Sequence, residues 1–194
     1  NSGTNALNIS GTGFLNQVSV SSGRGIRVGR TADGELSLSE SAHVYTAGFL
    51  SNGGGDVSGV GLINITGGDV QIDVGGDFIN DAVSTLQMNI DANGVSAINA
   101  LGNATLDGFL SLNFDFVPTI GESFTIINTG GTVTGSFLGG VTATGLAAGT
   151  SVAVNYAGGD GNDVVLSIVE GILGDFTGNG IVDGDDFLSW QRGY

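Results

Sequence analysis

Short segments in which apolar and polar residues alternate strictly are the feature that most constrains the fold of this chain. In residues 110–116, for example, Leu110, Leu112, Phe114 and Phe116 alternate with polar side chains. The same alternation recurs in residues 7–9, 18–20, 26–28, 36–38, 63–65, 70–74, 86–90, 152–156 and 164–168. Such alternation places the apolar side chains on one face of a β-strand. Because helical periodicity is nearly absent from the same part of the chain, the sequence predicts an all-β fold.

A weak internal repeat favours one all-β architecture over another. Residues 7–11, 36–40 and 63–67 share one template, at sequence offsets of 29 and then 27, and glycines are spread between the short strands. Periods of this order are typical of stacked coils, so we predict a parallel β-helix, or β-solenoid, for residues 1–108. An antiparallel β-sandwich also has many short strands separated by turns and is the alternative.

The pattern changes from Phe109 onward, where the strands become longer and more aromatic. Residues 156–164 are typical of a loop that joins two alternating strands. We therefore predict a hairpin-rich cap that begins at about residue 109 and covers the end of the coil stack, whose strand edges would otherwise be exposed. The predicted domains are a glycine-rich solenoid with its cap at 1–169 and a short appendage at 170–194.

The composition limits the classes of partner and the expected location. The chain has 19 acidic residues against four arginines, which gives a formal net charge of -15, and it has no cysteine. Nucleic-acid binding is excluded because it requires a basic surface, and no run of apolar residues is long enough to span a bilayer. The lysine-free, cysteine-free and glycine-rich composition leads us to expect a secreted bacterial protein that is extracellular or on the cell surface.

Residues 175–186 have the spacing of a twelve-residue calcium loop. Oxygen-bearing side chains occupy positions 1, 3, 5, 9 and 12 of this loop, in Asp175, Thr177, Asn179, Asp183 and Asp186. Gly180 at position 6 allows the sharp turn around a cation, and Ile181 at position 7 can offer its backbone carbonyl. The sequence therefore predicts a Ca²⁺ site in this loop.

A short helix is predicted to follow the loop, with Phe187, Leu188 and Trp190 at helical spacing and acidic residues at its start. The loop and helix resemble a type I dockerin repeat, and more closely the repeats of secreted planctomycete-type proteins, with Gly-Asp-Phe-x-Gly-x-Gly-x-Val-Asp before Asp-Phe-Leu-x-Trp-Gln-Arg. The resemblance covers residues 174–194 as a single copy. It implies that Ca²⁺ is bound by the side chains of Asp175, Thr177, Asn179, Asp183 and Asp186, with Asp183 acting through water, and by the Ile181 carbonyl.

The body of the chain resembles the glycine-rich passenger repeats of autotransporter-type surface proteins, down to its closing segment at 156–166. This resemblance implies a β-solenoid on a cell surface and indicates no activity. Residues 158–166 also match one nonapeptide calcium repeat by pattern. Because such sites need neighbouring coils to complete the ligand shell, we interpret the single copy as a hairpin turn.

No catalytic constellation is evident. His43 is the only histidine and has neither a nucleophile motif nor a metal-ligand companion nearby in sequence, so we interpret it as structural or exposed. Asp69, Asp73, Asp77 and Asp81 recur every four residues and are interpreted as a solvated strand face. The arginines at 24, 27 and 30 are expected to pair with the acidic residues that follow them.

Two functions are compatible with these features. The first is a non-enzymatic, calcium-stabilised structural or adhesive protein that self-associates head to tail into filaments through Phe187, Leu188, Trp190 and Tyr194. The alternative is an extracellular module that binds or degrades polysaccharide and carries a dockerin-like attachment tail.

Overall fold

The protein is a β-solenoid of about five turns. The computed structural model describes residues 5–17, 25–54, 59–171, 174, 182 and 184–192, and these form 18 strands and one helix. The predicted parallel β-helix is therefore confirmed for the described residues, and the sandwich alternative is not observed. The alternating segment at 18–20 lies outside them.

Each coil contributes one strand to each of three sheets. Coil 1 contains β1 (Asn5–Ile9), β2 (Phe14–Gln17) and β3 (Gly25–Val28), and coil 2 contains β4 (Gly34–Ser39), β5 (His43–Thr46) and β6 (Phe49–Asn52). Coil 3 contains β7 (Gly61–Thr66), β8 (Gln71–Val74) and β9 (Phe78–Asn80), and coil 4 contains β10 (Thr85–Ile90), β11 (Ile98–Ala100) and β12 (Ala104–Leu106). Coil 5 contains β13 (Phe109–Phe114), β14 (Ser123–Thr129) and β15 (Val133–Gly135). It is followed by β16 (Gly140–Thr144), β17 (Thr150–Gly158), β18 (Asp163–Glu170) and the helix α1 (Gly184–Gln191).

The three sheets run along the solenoid axis. Sheet 1 has the order β1-β4-β7-β10-β13-β16, and sheet 3 has the order β15-β12-β9-β6-β3. Sheet 2 has the order β17-β18-β14-β11-β8-β5-β2. The coil strands pair in parallel, whereas β18 pairs antiparallel with both β14 and β17.

The strand register reproduces the internal repeat of the sequence. In sheet 1, Leu7 lies beside Leu36, and Leu36 lies beside Ile63, so the register follows the two offsets of the template. The corners between strands, rather than the strands of this sheet, take up the differences in coil length. The repeat template therefore marks equivalent positions of successive coils.

The core is a narrow column of apolar side chains inside the three sheets. In sheet 1, Leu36, Ile63, Leu86 and Leu110 occupy one inward row and are fully or almost fully buried. Each such side chain stabilises the fold by about 1.5–3 kcal/mol relative to an exposed one. Strict alternation is thus explained, because only every second residue of a strand points into this column.

The solenoid continues past residue 109, and the antiparallel part comes later than the sequence suggested. Strands β13, β14 and β15 pair in parallel with coil 4, and β16 pairs in parallel with β13. Only β17 and β18 form the antiparallel hairpin that lies on β14. The hydroxyl of Tyr156 accepts a hydrogen bond from the backbone amide of Phe137 at 3.1 Å, which ties the hairpin to the last corner. Longer, aromatic strands therefore mark the final coil as well as the cap.

Candidate functional site

The predicted calcium ligands lie almost entirely outside the described residues. This is true of Asp175, Thr177, Asn179, Ile181 and Asp183. Asp186 lies in α1, of which the backbone is described at this position but the side chain is not. The helix predicted to follow the loop is present as α1, and the geometry of the ligand set stays a prediction.

Three apolar side chains of α1 are exposed, and we call them the latch face: Phe187, Leu188 and Trp190. The rings of Phe187 and Trp190 lie 5.8 Å apart between centroids. Tyr194, the fourth residue predicted to join them, lies outside the described residues. Contiguous exposed apolar side chains of this kind are typical of an interaction surface.

The N-terminal end of the solenoid exposes its apolar interior. Leu7 is 48% exposed, whereas its register partner Leu36 in the next coil is 2% exposed. Leu15 and Ile26 line the same opening, a cavity of about 280 Å³. Among the described residues, no strand pairs with the outer edge of β1, β2 or β3. This end therefore combines unpaired backbone groups with an uncovered apolar core.

The positive charge of the chain is concentrated at this end. Residues 1–32 contain three arginines, at 24, 27 and 30, and no acidic residue, whereas all 19 acidic residues and Arg192 come later. Within the described part of the chain, no ion pair joins Arg27 or Arg30 to a carboxylate. Instead, the guanidinium of Arg27 lies 4.4 Å from the centroid of the Phe49 ring. The expected pairing is therefore not observed for Arg27 or Arg30, whose side chains are exposed, although Asp33 and Glu35 line the same opening. Arg24 lies outside the described residues.

The C-terminal end of the solenoid is stepped. Sheet 2 extends two strands beyond β14, sheet 1 extends one strand beyond β13, and sheet 3 ends at β15. Because β17 is antiparallel to β18, which is antiparallel to β14, the outermost strand β17 runs in the same direction as β2. Its nine residues include no charged residue and no proline. The strand is bulged between Asn155 and Gly158, but its Thr150–Asn155 part lacks the charges, proline and bulge that usually block edge-to-edge pairing.

A second cluster lies on the outer face of sheet 2, where β2, β5 and β8 are neighbours. The Phe14 and His43 rings are 4.6 Å apart, and Nε2 of His43 lies 3.1 Å from Oδ2 of Asp73. The side-chain amide of Gln71 donates to the same oxygen at 2.6 Å. The structure thus gives His43 a half-exposed position with a defined partner on the next coil.

Sequence reasoning missed this cluster, although the signal was available. Adding the template offsets of 27 and 29 residues to position 43 gives positions 70 and 72, and in the structure His43 pairs with Gln71 between them. The four regularly spaced aspartates do not share one strand face. Of these four, only Asp73 belongs to a strand, and the Asp77 carboxylate instead accepts the backbone amide of Asn103 at 2.8 Å.

The motif at 158–166 forms a hairpin turn, as interpreted from the sequence. Gly158 and Asp163 are paired across the end of β17 and β18. The carboxylate of Asp163 accepts the backbone amide of Thr129 at 3.1 Å, and the carbonyl of Asn162 accepts the Thr129 hydroxyl at 2.8 Å. The turn therefore clasps the end of β14, and the Asp163 carboxylate has a structural role there.

The described part of the chain contains no helix that is long and apolar enough to cross a membrane. Among the same residues, no three His, Cys, Asp or Glu side chains are grouped as metal ligands. Comparisons of the chain with protein-family models, with curated proteins and with solved structures found no match.

Proposed function

We propose that this protein is a non-enzymatic, secreted structural or adhesive protein that associates head to tail into filaments at a cell surface. The observation that carries the proposal is the polarity of the solenoid. One end has an open apolar interior and carries Arg27 and Arg30 beside Asp33 and Glu35, and the other 17 of the 19 acidic residues come later in the chain. Because the rest of the molecule is acidic, the arginines favour contact of this end with another part of a second copy over contact between two such ends.

The strand directions permit sheet 2 to continue from one copy into the next. The edge strand β17 of one copy and β2 of the following copy run the same way, so they can pair in parallel as the coil strands do within each copy. Pairing would satisfy backbone groups of both edges and cover Leu15 at the open end. A heterologous contact that does not close on itself generates filaments.

The stepped end leaves space that the C-terminal segment would fill. If β17 of one copy lies beside β2 of the next, no described strand of either copy fills the positions next to β16 in sheet 1 and next to β15 in sheet 3. The chain leaves β18 at Glu170, next to this step, and continues into the predicted calcium loop and the latch face. We propose that Ca²⁺ orders the loop and that the latch face then packs across the junction.

Negative-stain electron microscopy of the whole chain, with calcium and with EGTA, tests the proposal. We expect filaments in calcium and short oligomers in EGTA. Arg30→Glu should shorten the filaments because it removes an exposed positive charge at the open end. Raising NaCl to about 1 M, where the screening length falls to about 3 Å, should have the same effect.

A matched control places a new negative charge away from both junction strands. Asn113→Glu lies on the exposed outer face of sheet 1 and should leave filament length unchanged. Monodisperse monomers at high protein concentration in calcium would refute the proposal. So would shortening by Asn113→Glu of half that by Arg30→Glu or more, since Asn113→Glu changes the net charge by one unit and Arg30→Glu by two, and the effect would then follow net charge rather than the open end.

A further inference from the structure

We propose that the outer face of sheet 2 binds a neutral, polyhydroxylated glycan. The face, called here the His43 face, consists of Phe14, His43, Tyr45, Gln71 and Asp73. These residues come from three successive coils and lie side by side in the strand register. Phe14 lies in β2, the edge strand of the proposed head-to-tail junction. The face uses outward side chains rather than the backbone edge of that strand, so the glycan proposal does not rest on the junction.

The polar side chains of the His43 face hold one another in position. One oxygen of Asp73, Oδ2, accepts from Gln71 at 2.6 Å and lies 3.1 Å from Nε2 of His43. All three side chains project from strands of a parallel sheet whose neighbouring strands are about 4.8 Å apart. A ligand would therefore meet groups that are already ordered, which lowers the entropy lost on binding.

The network leaves further hydrogen-bonding atoms available. Within the described chain, Oδ1 of Asp73, Oε1 of Gln71, Nδ1 of His43 and the hydroxyl of Tyr45 have no hydrogen-bond partner. Together they offer donors and acceptors on adjacent strands. Adjacent hydroxyl groups of a sugar ring act as both donors and acceptors and so match this set.

An exposed aromatic ring lies directly beside these polar atoms. Phe14 is 55% exposed, and its ring lies 4.6 Å from the His43 ring between centroids, tilted by 52°. His43 lies between Phe14 and Gln71 in the register. An aromatic ring next to fixed polar groups suits a ligand that has an apolar face and a hydroxylated edge. Sugar rings have both.

The negative charge of the protein favours binding of a neutral glycan over an anionic one. The chain has a net charge of -15, and the His43 face itself contains a carboxylate. Along the sheet, the row from Tyr45 and Asp73 continues with Asn99 and Asn128, which are uncharged amides. An acidic polysaccharide would be repelled, whereas a neutral chain could lie along this row.

Titration calorimetry on the whole chain tests the proposal with neutral oligosaccharides from cellulose, laminarin and mannan, and with oligogalacturonate as the anionic comparison. We expect at least one neutral oligosaccharide to bind, no binding of oligogalacturonate, and little dependence on NaCl. Phe14→Ala and Gln71→Ala should each weaken binding by about 10-fold.

Phe109→Ala is the matched control, because Phe109 is an exposed phenylalanine on the outer face of sheet 1. It should change affinity by less than about 2-fold. Circular dichroism melting of each variant separates a lost ligand contact from a lost fold. The proposal is overturned if no neutral oligosaccharide binds, if oligogalacturonate binds more tightly, or if Phe14→Ala folds and binds as well as the natural chain. Filament formation can fail without affecting any of these outcomes.

Discussion

The buried side chains of Asn52 and Asn80 connect successive coils through hydrogen bonds. Asn52 donates from its amide nitrogen to Oδ1 of Asn80 and to the carbonyl of Thr85, both at 2.8 Å. Asn80 donates in turn to the carbonyl of Asp107 at 2.6 Å. Both side chains lie at the end of sheet 3, where the chain turns toward sheet 1. They satisfy backbone carbonyls that the corner would otherwise leave buried without a partner.

Replacing Asn80 should destabilise the fold strongly. Asn80→Ala removes both the donor and the acceptor of its side-chain amide from a buried corner and should lower the free energy of unfolding by about 2–3 kcal/mol. Asn64→Ala is the control, since Asn64 is half-exposed on the outer face of sheet 1, where it accepts from Asn89 at 2.8 Å. Asn64→Ala should lower the free energy of unfolding by less than about 1 kcal/mol. Urea denaturation measures both, and equal losses would contradict the role given to the buried amides.

Alanine substitutions at two glycines near the end of the solenoid distinguish the energetic cost of backbone strain from that of a steric clash. Gly145 and Gly149 have similar positive φ angles of 83° and 77°. A Cβ at Gly145 would lie 2.0 Å from the carbonyl oxygen of Phe114, whereas a Cβ at Gly149 would meet nothing within 4 Å. Gly149→Ala should cost about 1–2 kcal/mol through its φ angle alone. Gly145→Ala should cost more in the same thermal or urea unfolding experiment, and similar costs would show that the chain relaxes around the clash.

Among the elements, the strands were predictable because each obeys one simple rule. Inward positions must be apolar to fill the column, so Leu110 and Leu112 in β13 alternate with outward Ser111 and Asn113. The first three coils were recognisable because their offsets in sheet 1 are nearly equal. The next offset, from Ile63 to its register partner Leu86, is clearly shorter. The length of the corners varies between coils while the register of sheet 1 is kept. The later coils therefore have no constant sequence offset by which they could be recognised.

The pairing of side chains on neighbouring coils was harder to predict than the strands. The contact of His43 with Asp73 joins residues that are 30 positions apart. It depends on the register of two strands, and a strand must be placed to within one residue to decide which side chains meet. The calcium loop could be proposed from the sequence because all its ligands are local in sequence, and its geometry stays a prediction.

The hairpin of β17 and β18 should depend on its clasp at Thr129. Asp163→Ala removes the acceptor of the Thr129 amide and should lower the protection of the β17 and β18 amides by about 10-fold or more in hydrogen exchange. Protection of β7 and β10 should be unaffected. Asp160→Ala, at an exposed position of the same turn, is the control. Equal protection in both variants would mean that the clasp does not hold the hairpin.

For the molecule as a whole, calcium should act on the C-terminal segment and not on the hairpin turn. Asp175→Ala removes the first predicted ligand and should weaken calcium binding, measured by calorimetry, by about 10-fold or more, equivalent to about 1.4 kcal/mol. Asp160→Asn alters the turn that matches the nonapeptide pattern and should leave binding unchanged. The prediction would be contradicted if calcium titration of the natural chain gave no heat, or if only Asp160→Asn weakened calcium binding.

Cysteine cross-linking can detect directly whether β17 of one copy lies beside β2 of the next. The chain has no cysteine, so only introduced thiols react. Asn16→Cys combined with Asn155→Cys places one thiol on each exposed strand. Within one copy, these positions are separated by most of the seven-stranded sheet, about 29 Å at about 4.8 Å per strand.

A bis-maleimide reagent with a reach well below that distance can join these thiols only between copies. We expect a ladder of covalent oligomers for this pair in calcium. We expect no ladder for Asn16→Cys combined with Asn113→Cys, whose second thiol lies on the outer face of sheet 1. Monomers alone from the first pair, or the same ladder from both pairs, would contradict head-to-tail association through these strands.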